Sequence, residues 1–291
     1  MGTQSSCYKS CSTNSILKQR DLNEDAPNSI LRGSTTRTKI YSSPVSLGDS
    51  LMKDEPHRTQ LKGIVDFVSP LNQIVQKETV DGECFVRYSN DSVYQGDMKG
   101  DKKHGKGRLA MANGDVFEGH FFNDKIEGYG EFRGLDGFVY SGQWRNGLYD
   151  GEGHQISSDG KSYKGTYKEG RQHGKGIMTN TKGDIYEGEF KEGKIHGKGV
   201  YSSAKGIHYE GEWSNNLREG EGRLLTANFC YEGQFSNNKI NGFGKLRHSD
   251  GREYSGFFKN GVPHGEGVIY VPGEQRRKGS WENGVACKFD N

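Results

Sequence analysis

The stretch Tyr186–Tyr201, YEGEFKEGKIHGKGVY, decides the fold. It contains G-x-x-x-x-G-K from Gly188 to Lys194, the first seven positions of a phosphate-binding loop, but Ile195 stands where Ser or Thr is required. A phosphate loop joins a strand to a helix whose amides hold the anion. Here Tyr186, Gly188 and Phe190 alternate with Glu187 and Glu189, which is the period of a strand, and Glu192-Gly193 marks a hairpin turn. The same frame recurs without the lysine as GTYKEGRQ from Gly165 and GQWRNGLY from Gly142. The stretch therefore reads strand, turn, strand, and the glycine spacing belongs to a hairpin repeat.

The repeat extends in both directions. An aromatic followed by x-Gly occurs at Tyr94/Gly96, Phe117/Gly119, Tyr140/Gly142, Tyr163/Gly165, Tyr186/Gly188, Tyr209/Gly211, Tyr231/Gly233 and Tyr254/Gly256. A ninth copy, RKGSW from Arg277, keeps Gly279 and Trp281 but lacks the first aromatic. The period is 23 residues, with one step of 22 between Tyr209 and Tyr231. Periods of this size signal a stacked array. A second element follows at a fixed offset: HGKG at His104, His173 and His196, with variants at Glu127, Asp150, Glu219, Asn241 and His264. Turn dipeptides such as Asn146-Gly147 and Asn260-Gly261 separate the two elements, and others such as Asn113-Gly114 and Asp250-Gly251 follow the second. Asn-Gly and Asp-Gly favour tight hairpins because both turn positions need positive φ.

Period two places Tyr186, Gly188 and Phe190 on one face, and Gly197, Gly199 and Tyr201 on one face of the second strand. The glycines then provide flat seats for neighbouring rings, since a Cβ would lift a ring off the sheet. Gln155 departs from a slot otherwise held by Leu109, Phe132, Met178, Tyr201 and Leu224. Asn228-Phe229-Cys230 replaces a glycine turn at the short step, and NGVACKFDN after Trp281 reads as a terminal cap.

This pattern resembles the MORN (membrane occupation and recognition nexus) repeat family over residues 93–291. The resemblance implies an all-β fold: an elongated, twisted, single-layer antiparallel β-meander of about nine hairpin units, roughly 80 Å long at ~4.8 Å per strand. Some members carry a kinase or methyltransferase domain, for which the repeats leave no room in this sequence.

Composition agrees with a thin repetitive fold. Of 291 residues, 44 are Gly and only 31% are apolar, too little for a thick core, while 11% are aromatic, too many for simple disorder. A formal charge of +2 gives no field to steer nucleic acid, so no nucleic-acid partner is expected. Five cysteines without a C-x-x-C pair suggest a reducing compartment. No run approaches the ~20 apolar residues that span a bilayer, and the start lacks the apolar segment of a secretory signal. His104, His173, His196 and His264 share one repeat slot that reads as a polar strand start, because zinc needs ligands converging on one point. No Ser/His/Asp or Cys/His set stands out, and neither catalytic residues nor a cofactor or metal are expected.

Three segments are expected: a disordered tail over 1–60, a short helical cap over 61–80 and the repeat domain over 81–291. Residues 1–50 are rich in Ser and Thr and poor in aromatics. In LKGIVDFVSPLNQIVQK (61–77), Leu61, Ile64, Val65 and Val68 recur at helical spacing, and Ser69-Pro70 followed by Leu71, Ile74 and Val75 restarts it. The helix would cover the open edge of the first hairpin or bind a partner. The start, MGTQSSC, fits the frame for myristoylation of Gly2, with Cys7 and Cys11 as nearby palmitate acceptors. One acyl chain binds membranes only reversibly, so a second lipid is the usual complement. Lys9, Lys18 and Arg20 would add attraction to anionic lipid.

The leading expectation is a non-enzymatic scaffold tethered at the cytoplasmic face of a membrane, at the plasma membrane or cell cortex, and docking protein partners along its ribbon. The alternatives are a soluble architectural subunit of a ciliary or cytoskeletal assembly, and a regulatory subunit of a separate enzyme such as a lipid kinase. Oligomeric state and partner identity stay open at this stage.

Overall fold

The computed structural model describes residues 73–290. The expected tail over 1–60 and residues 61–72 of the expected helical cap lie outside the described residues. Every described element is a strand. The first hairpin is β1 (Ile74–Val80) and β2 (Glu83–Tyr88). Nine more follow: β3 (Val93–Lys99) with β4 (Lys102–Ala110), β5 (Val116–Phe122) with β6 (Lys125–Arg133), β7 (Val139–Arg145) with β8 (Leu148–Ile156), β9 (Ser162–Lys168) with β10 (Arg171–Thr179), β11 (Ile185–Lys191) with β12 (Lys194–Ser202), β13 (His208–Ser214) with β14 (Leu217–Leu225), β15 (Phe229–Ser236) with β16 (Lys239–His248), β17 (Glu253–Lys259) with β18 (Val262–Tyr270), and β19 (Arg277–Glu282) with β20 (Val285–Phe289). Each strand pairs antiparallel with its neighbours in sequence, from β1–β2 through β9–β10 to β19–β20, giving one open meander.

The helical cap is corrected where it is described. Ile74–Val80 is β1, in antiparallel register with β2, with Lys77 opposite Val86 and Thr79 opposite Cys84. The apolar residues at 74 and 75 satisfy a helical count as easily as a strand. The hairpin wins because the Asp81-Gly82 turn, positive in φ at both residues (52° and 88°), folds β1 back onto β2. The sheet thus begins at residue 74, ahead of the boundary expected at 81.

The turns divide into two kinds. Within the hairpin units both central residues are left-handed, as at Glu192 (52°) and Gly193 (80°), except at Gly100-Asp101 between β3 and β4, where only the glycine is. Where glycine is absent, Asn or Asp takes the conformation, as at Asn215-Asn216 and Asn237-Asn238. From the β5–β6 turn onward the second residue bonds back to the preceding hairpin: Gly193 N–H donates to Gln172 O (2.9 Å), and Asn216 N–H to Ile195 O (3.0 Å). Turns between units are different from the sequence expectation. At Asn113-Gly114 only the glycine is left-handed, and the loop closes through Met111 N–H to Asp115 O (2.8 Å). At the short step, Thr226 Oγ1 accepts from the amides of Asn228 (3.2 Å) and Phe229 (3.1 Å), replacing the missing glycine turn.

The core is one face of this sheet. Tyr94, Phe117, Tyr140, Tyr186, Tyr209, Tyr231 and Tyr254 are fully buried. A single sheet achieves this because the rings lie along it instead of standing on it. Beneath them, one glycine per strand is paired across the sheet, as in Gly176–Gly188–Gly199–Gly211–Gly222. A Cβ built at Gly199 would fall 2.5 Å from Cζ and 2.6 Å from Cε2 of Tyr186, so the ring occupies that volume.

The first glycine of each aromatic-x-Gly element is set by the facing backbone as well as by a ring: a Cβ at Gly119, Gly142, Gly165 or Gly256 would fall 2.5–2.6 Å from backbone atoms of the next strand. At Gly233, expected as a ring seat, φ is 148°, and a Cβ would strike Gly244 Cα and lie 2.5 Å from Phe243 O and 2.8 Å from Tyr231 Oη. The backbone of β16, closing in where β15 and β16 shift register just after Gly233, is what excludes a side chain. Gly96 (φ 151°) is held in the same way against Gly107 and Lys106 O. The first glycine of each HGKG element also acts otherwise than expected. Gly197 has φ of 65°, and its missing Cβ would meet the Glu189 side chain and no ring. It forms the bulge at which β11 and β12 shift register. Glu189 Oε1 caps that bulge by accepting from Lys198 N–H (3.3 Å), as Gln143 Oε1 does from Glu152 N–H (3.0 Å).

Candidate functional site

The buried face is continuous. From Phe117 to Tyr254 each first-position ring meets the second aromatic of its own strand edge-on, and that second ring meets the first-position ring of the adjacent unit. Tyr163 touches Phe190 (centroids 4.9 Å), Phe190 touches Tyr186 (5.2 Å), Tyr186 touches Trp213 (5.4 Å) and Trp213 touches Tyr209 (5.1 Å). The chain of rings runs unbroken from Tyr94 and Phe121 to Trp281 and Phe289. Edge-to-face pairs of this kind contribute ~0.5–1.5 kcal/mol each beyond area burial. Each first-position tyrosine also donates to a carbonyl three residues on: Tyr186 Oη to Glu189 O (3.1 Å), Tyr209 Oη to Glu212 O (3.0 Å). Burial pushes these phenols above their ordinary pKa, that of Tyr254 to about 12. Trp144 Nε1 and Trp213 Nε1 donate to the carbonyls of Gly130 (3.0 Å) and Gly199 (3.3 Å), which the glycine row leaves accessible.

The repeat positions singled out in the sequence, from Tyr94 and Gly96 to Tyr254 and Gly256, fall on this ladder or the glycine row under it. They are structural. Three polar side chains, Gln155, Arg218 and Lys103, enter the ladder. Gln155 lies between Tyr140 and Tyr163 in register, and its Oε1 accepts from Tyr167 Oη (3.1 Å). Arg218 takes the position that Ile126, Ile195 and Ile240 hold in other hairpins. It is 3% exposed, packs over Tyr209 and Phe235, and donates to Asn238 O (2.6 Å). Burial lowers its pKa to about 10. Lys103 fills the same slot in the first repeat over the Tyr88 ring (4.3 Å), its pKa lowered by burial against the pull of Asp124.

The opposite face is open. It carries two rows of side chains flanking the glycine row and includes a groove of about 1000 Å³ over β8 to β14 and another of about 810 Å³ over β2 to β7. Nearly all positions in the row after the glycines are polar, as with Gln143, Glu152, Thr166, Lys175, Glu189 and Lys198. Phe243 and Phe257 break that rule. They face each other across β16 and β17 with ring centroids 5.6 Å apart, and are 52% and 51% exposed. The sequence reading passed over them because FGK and GFF look like ordinary strand aromatics. Their parity, one residue off the ladder, was the available signal. Among the described residues no group of three or more His, Cys, Asp or Glu converges as a metal site, and no helix is long and apolar enough to cross a membrane. Gly2, Cys7 and Cys11 lie outside the described residues.

A one-sheet meander whose core is a ring ladder over glycines defines a β-repeat protein. The chain belongs to the MORN repeat family: the family model matches eight times, at residues 94–116, 117–138, 140–162, 163–185, 186–207, 209–230, 231–251 and 254–273. No curated protein matches it. Similar solved structures include the TCP10 domain of Danio rerio CPAP in complex with a peptide of Danio rerio STIL, at 13% identity over 69% of this chain and 96% of that one (TM-score 0.33). Another is the Drosophila melanogaster SAS-4 (dCPAP) TCP domain in complex with a proline-rich motif of Ana2, at 14% over 54% and 84% (TM-score 0.34). A third is the CPAP G-box domain, at 12% over 65% and 99% (TM-score 0.40). At such identities and scores neither partners nor roles transfer.

Proposed function

We propose that this chain is a non-enzymatic scaffold that docks partner proteins along the open face of its sheet, held at the cytoplasmic face of a membrane by N-terminal acylation. The observation that carries the docking reading is the Phe243–Phe257 pair. The ring ladder accounts for the buried aromatics, but these two rings contribute nothing to it and stand half-exposed on a polar face. Exposed aromatics of this kind serve as the anchors of protein interfaces. Membership of a structural repeat family supports the non-enzymatic part, since the repeat residues are consumed by packing and turns. The tether rests on MGTQSSC, with myristate on Gly2 and palmitate on Cys7 and Cys11.

Proximity labelling in cells, comparing the wild type with Phe243→Ala/Phe257→Ala, tests docking. Loss of a specific set of neighbours supports it, and an unchanged set refutes it. Should the neighbours prove to be one enzyme's subunits, the scaffold is a regulatory subunit. Intact mass from a eukaryotic host tests the tether: loss of Met1 plus a myristoyl increment supports it. An acetylated or unmodified start refutes it and favours a soluble architectural subunit of a ciliary or cytoskeletal assembly.

A further inference from the structure

This inference rests on the docking reading above and narrows it to one stretch of the open face and one partner chemistry. Over β10 to β13 the row before the glycines pairs across the strands as Ile177, Glu187, Val200 and Glu210. Ile177, Glu187 and Glu210 are exposed and Val200 is half-buried. Apolar and acidic side chains thus alternate, strand by strand, along the groove.

Neither carboxylate forms an ion pair among the described residues, and Glu187 has no base opposite it in register. Elsewhere on the same face charges neutralise each other: Arg223 pairs with Glu232 (3.1 Å), and Lys278 with Glu266 (3.8 Å). In the parallel row, Lys175 faces Glu189 and Lys198 faces Glu212. Glu187 is flanked only by Ile177 and Val200 in register. Glu210 faces Val200 and Arg223, whose guanidinium pairs with Glu232 and is felt by both acids, and the row is bounded on its other side by Lys164 opposite Ile177. Glu187, with no base opposite it, and Glu210, only partly offset by Arg223, repel anionic headgroups and nucleic acid and complement a basic protein segment.

Spacing restricts the segment further. Strands advance about 4.8 Å, and one turn of α-helix about 5.4 Å. A helix crossing the strands therefore presents roughly one side chain per strand. We propose that β10–β13 receives a basic amphipathic segment of a partner protein. Lysine or arginine would alternate with an apolar residue on successive turns, the bases meeting Glu187 and Glu210 and the apolar groups meeting Ile177 and Val200.

The test uses the full chain and two fluorescein-labelled, alanine-rich helical peptides. One alternates Leu and Lys on successive turns of one face, and the other has Glu in place of Lys. Fluorescence anisotropy should show the Lys peptide binding, more weakly as salt rises, and the Glu peptide failing to bind. Glu187→Lys/Glu210→Lys, at exposed positions, should weaken the Lys peptide by about tenfold or more and admit the Glu peptide, with an unchanged far-UV circular dichroism spectrum. Binding of neither peptide, equal binding of both, or Lys-peptide binding indifferent to the charge reversal overturns the proposal. If it is overturned while Phe243→Ala/Phe257→Ala still strips neighbours in cells, the docking reading survives and only this assignment falls. If both variants leave their readouts unchanged, both fall.

Discussion

Gly199→Ala isolates the principle on which the sheet is built. Gly199 carries no left-handed backbone, so the substitution is conformationally permitted and its cost is steric. The new Cβ would strike Oη of Tyr186 and lie 2.5 Å from its Cζ and 2.6 Å from its Cε2. Ordinary contacts between such atoms need about 3.5–4.0 Å, so the ring must retreat by about 1 Å. It has little room, being clamped edge-on by Phe190 (5.2 Å) and Trp213 (5.4 Å). Overpacking of this kind costs about 1–3 kcal/mol. Losing the Tyr186–Glu189 hydrogen bond (3.1 Å) adds about 1 kcal/mol. We expect Gly199→Ala to destabilise the sheet by about 2–4 kcal/mol in urea unfolding followed by circular dichroism, with Trp213 fluorescence reporting the local change. In a Tyr186→Leu background the clash is gone and the Cβ fills space the ring vacated. There the same substitution should cost nothing or stabilise, since Gly inside a strand is otherwise inferior to Ala by about 0.5–1 kcal/mol. Simple additivity of the two changes would refute the ring-seat argument.

Three further outcomes follow from the polar guests of the ladder and from its phenols. Gln155→Leu restores the apolar slot but strips the Tyr167 hydroxyl of its acceptor, so it should destabilise by about 1–2 kcal/mol; in a Tyr167→Phe background it should become neutral or stabilising, as a thermal-melt mutant cycle would show. Arg218→Ile removes a buried cation from a slot that accepts Ile in three other hairpins, and should raise stability by about 1 kcal/mol where Arg218→Ala lowers it. The buried phenols keep their protons above the ordinary value of 10.0, so above that pH the unfolded chain holds fewer protons than the folded one. Stability should therefore be whole below pH 10.0 and fall as pH rises, through about 12 for Tyr254, with phenolate absorbance appearing together with loss of the sheet signal.

Much of this architecture was legible because the repeat states it many times. Tyr186, Gly188 and Gly199 could be placed on one face by parity alone, and the ring over the glycines explains why those positions are glycine. The first glycine of each motif, such as Gly233, could be placed in the row but given only part of its reason, because the close approach of the facing backbone is invisible until the two strands are paired. Gly197 was misread because parity assigns every residue of a strand to a face, whereas a left-handed bulge steps out of that count. The β1–β2 hairpin was missed for a different reason. It lacks the aromatic-x-Gly signature, and its pairing partner, β2, is what makes Ile74–Val80 a strand. The Phe243–Phe257 pair and the Ile177–Glu210 ladder depend on register between strands. One-dimensional periodicity does not supply register until the turn types, and hence the hairpin offsets, are known.

The ring ladder also has a bearing on length. Every ring is held by its own strand and the adjacent unit, and the match from one unit to the next is the same throughout: Tyr163 receives Phe190 much as Tyr186 receives Trp213. Removing one whole unit would bring Trp213 to the edge of Tyr163, in the setting Phe190 now occupies. The 22-residue step at Thr226 shows that a missing residue can be absorbed in an inter-unit turn without interrupting the rings. Length is thus a digital variable in this molecule, altered by duplicating or excising hairpins, so that the distance between two equivalent points on the open face is set by an integer.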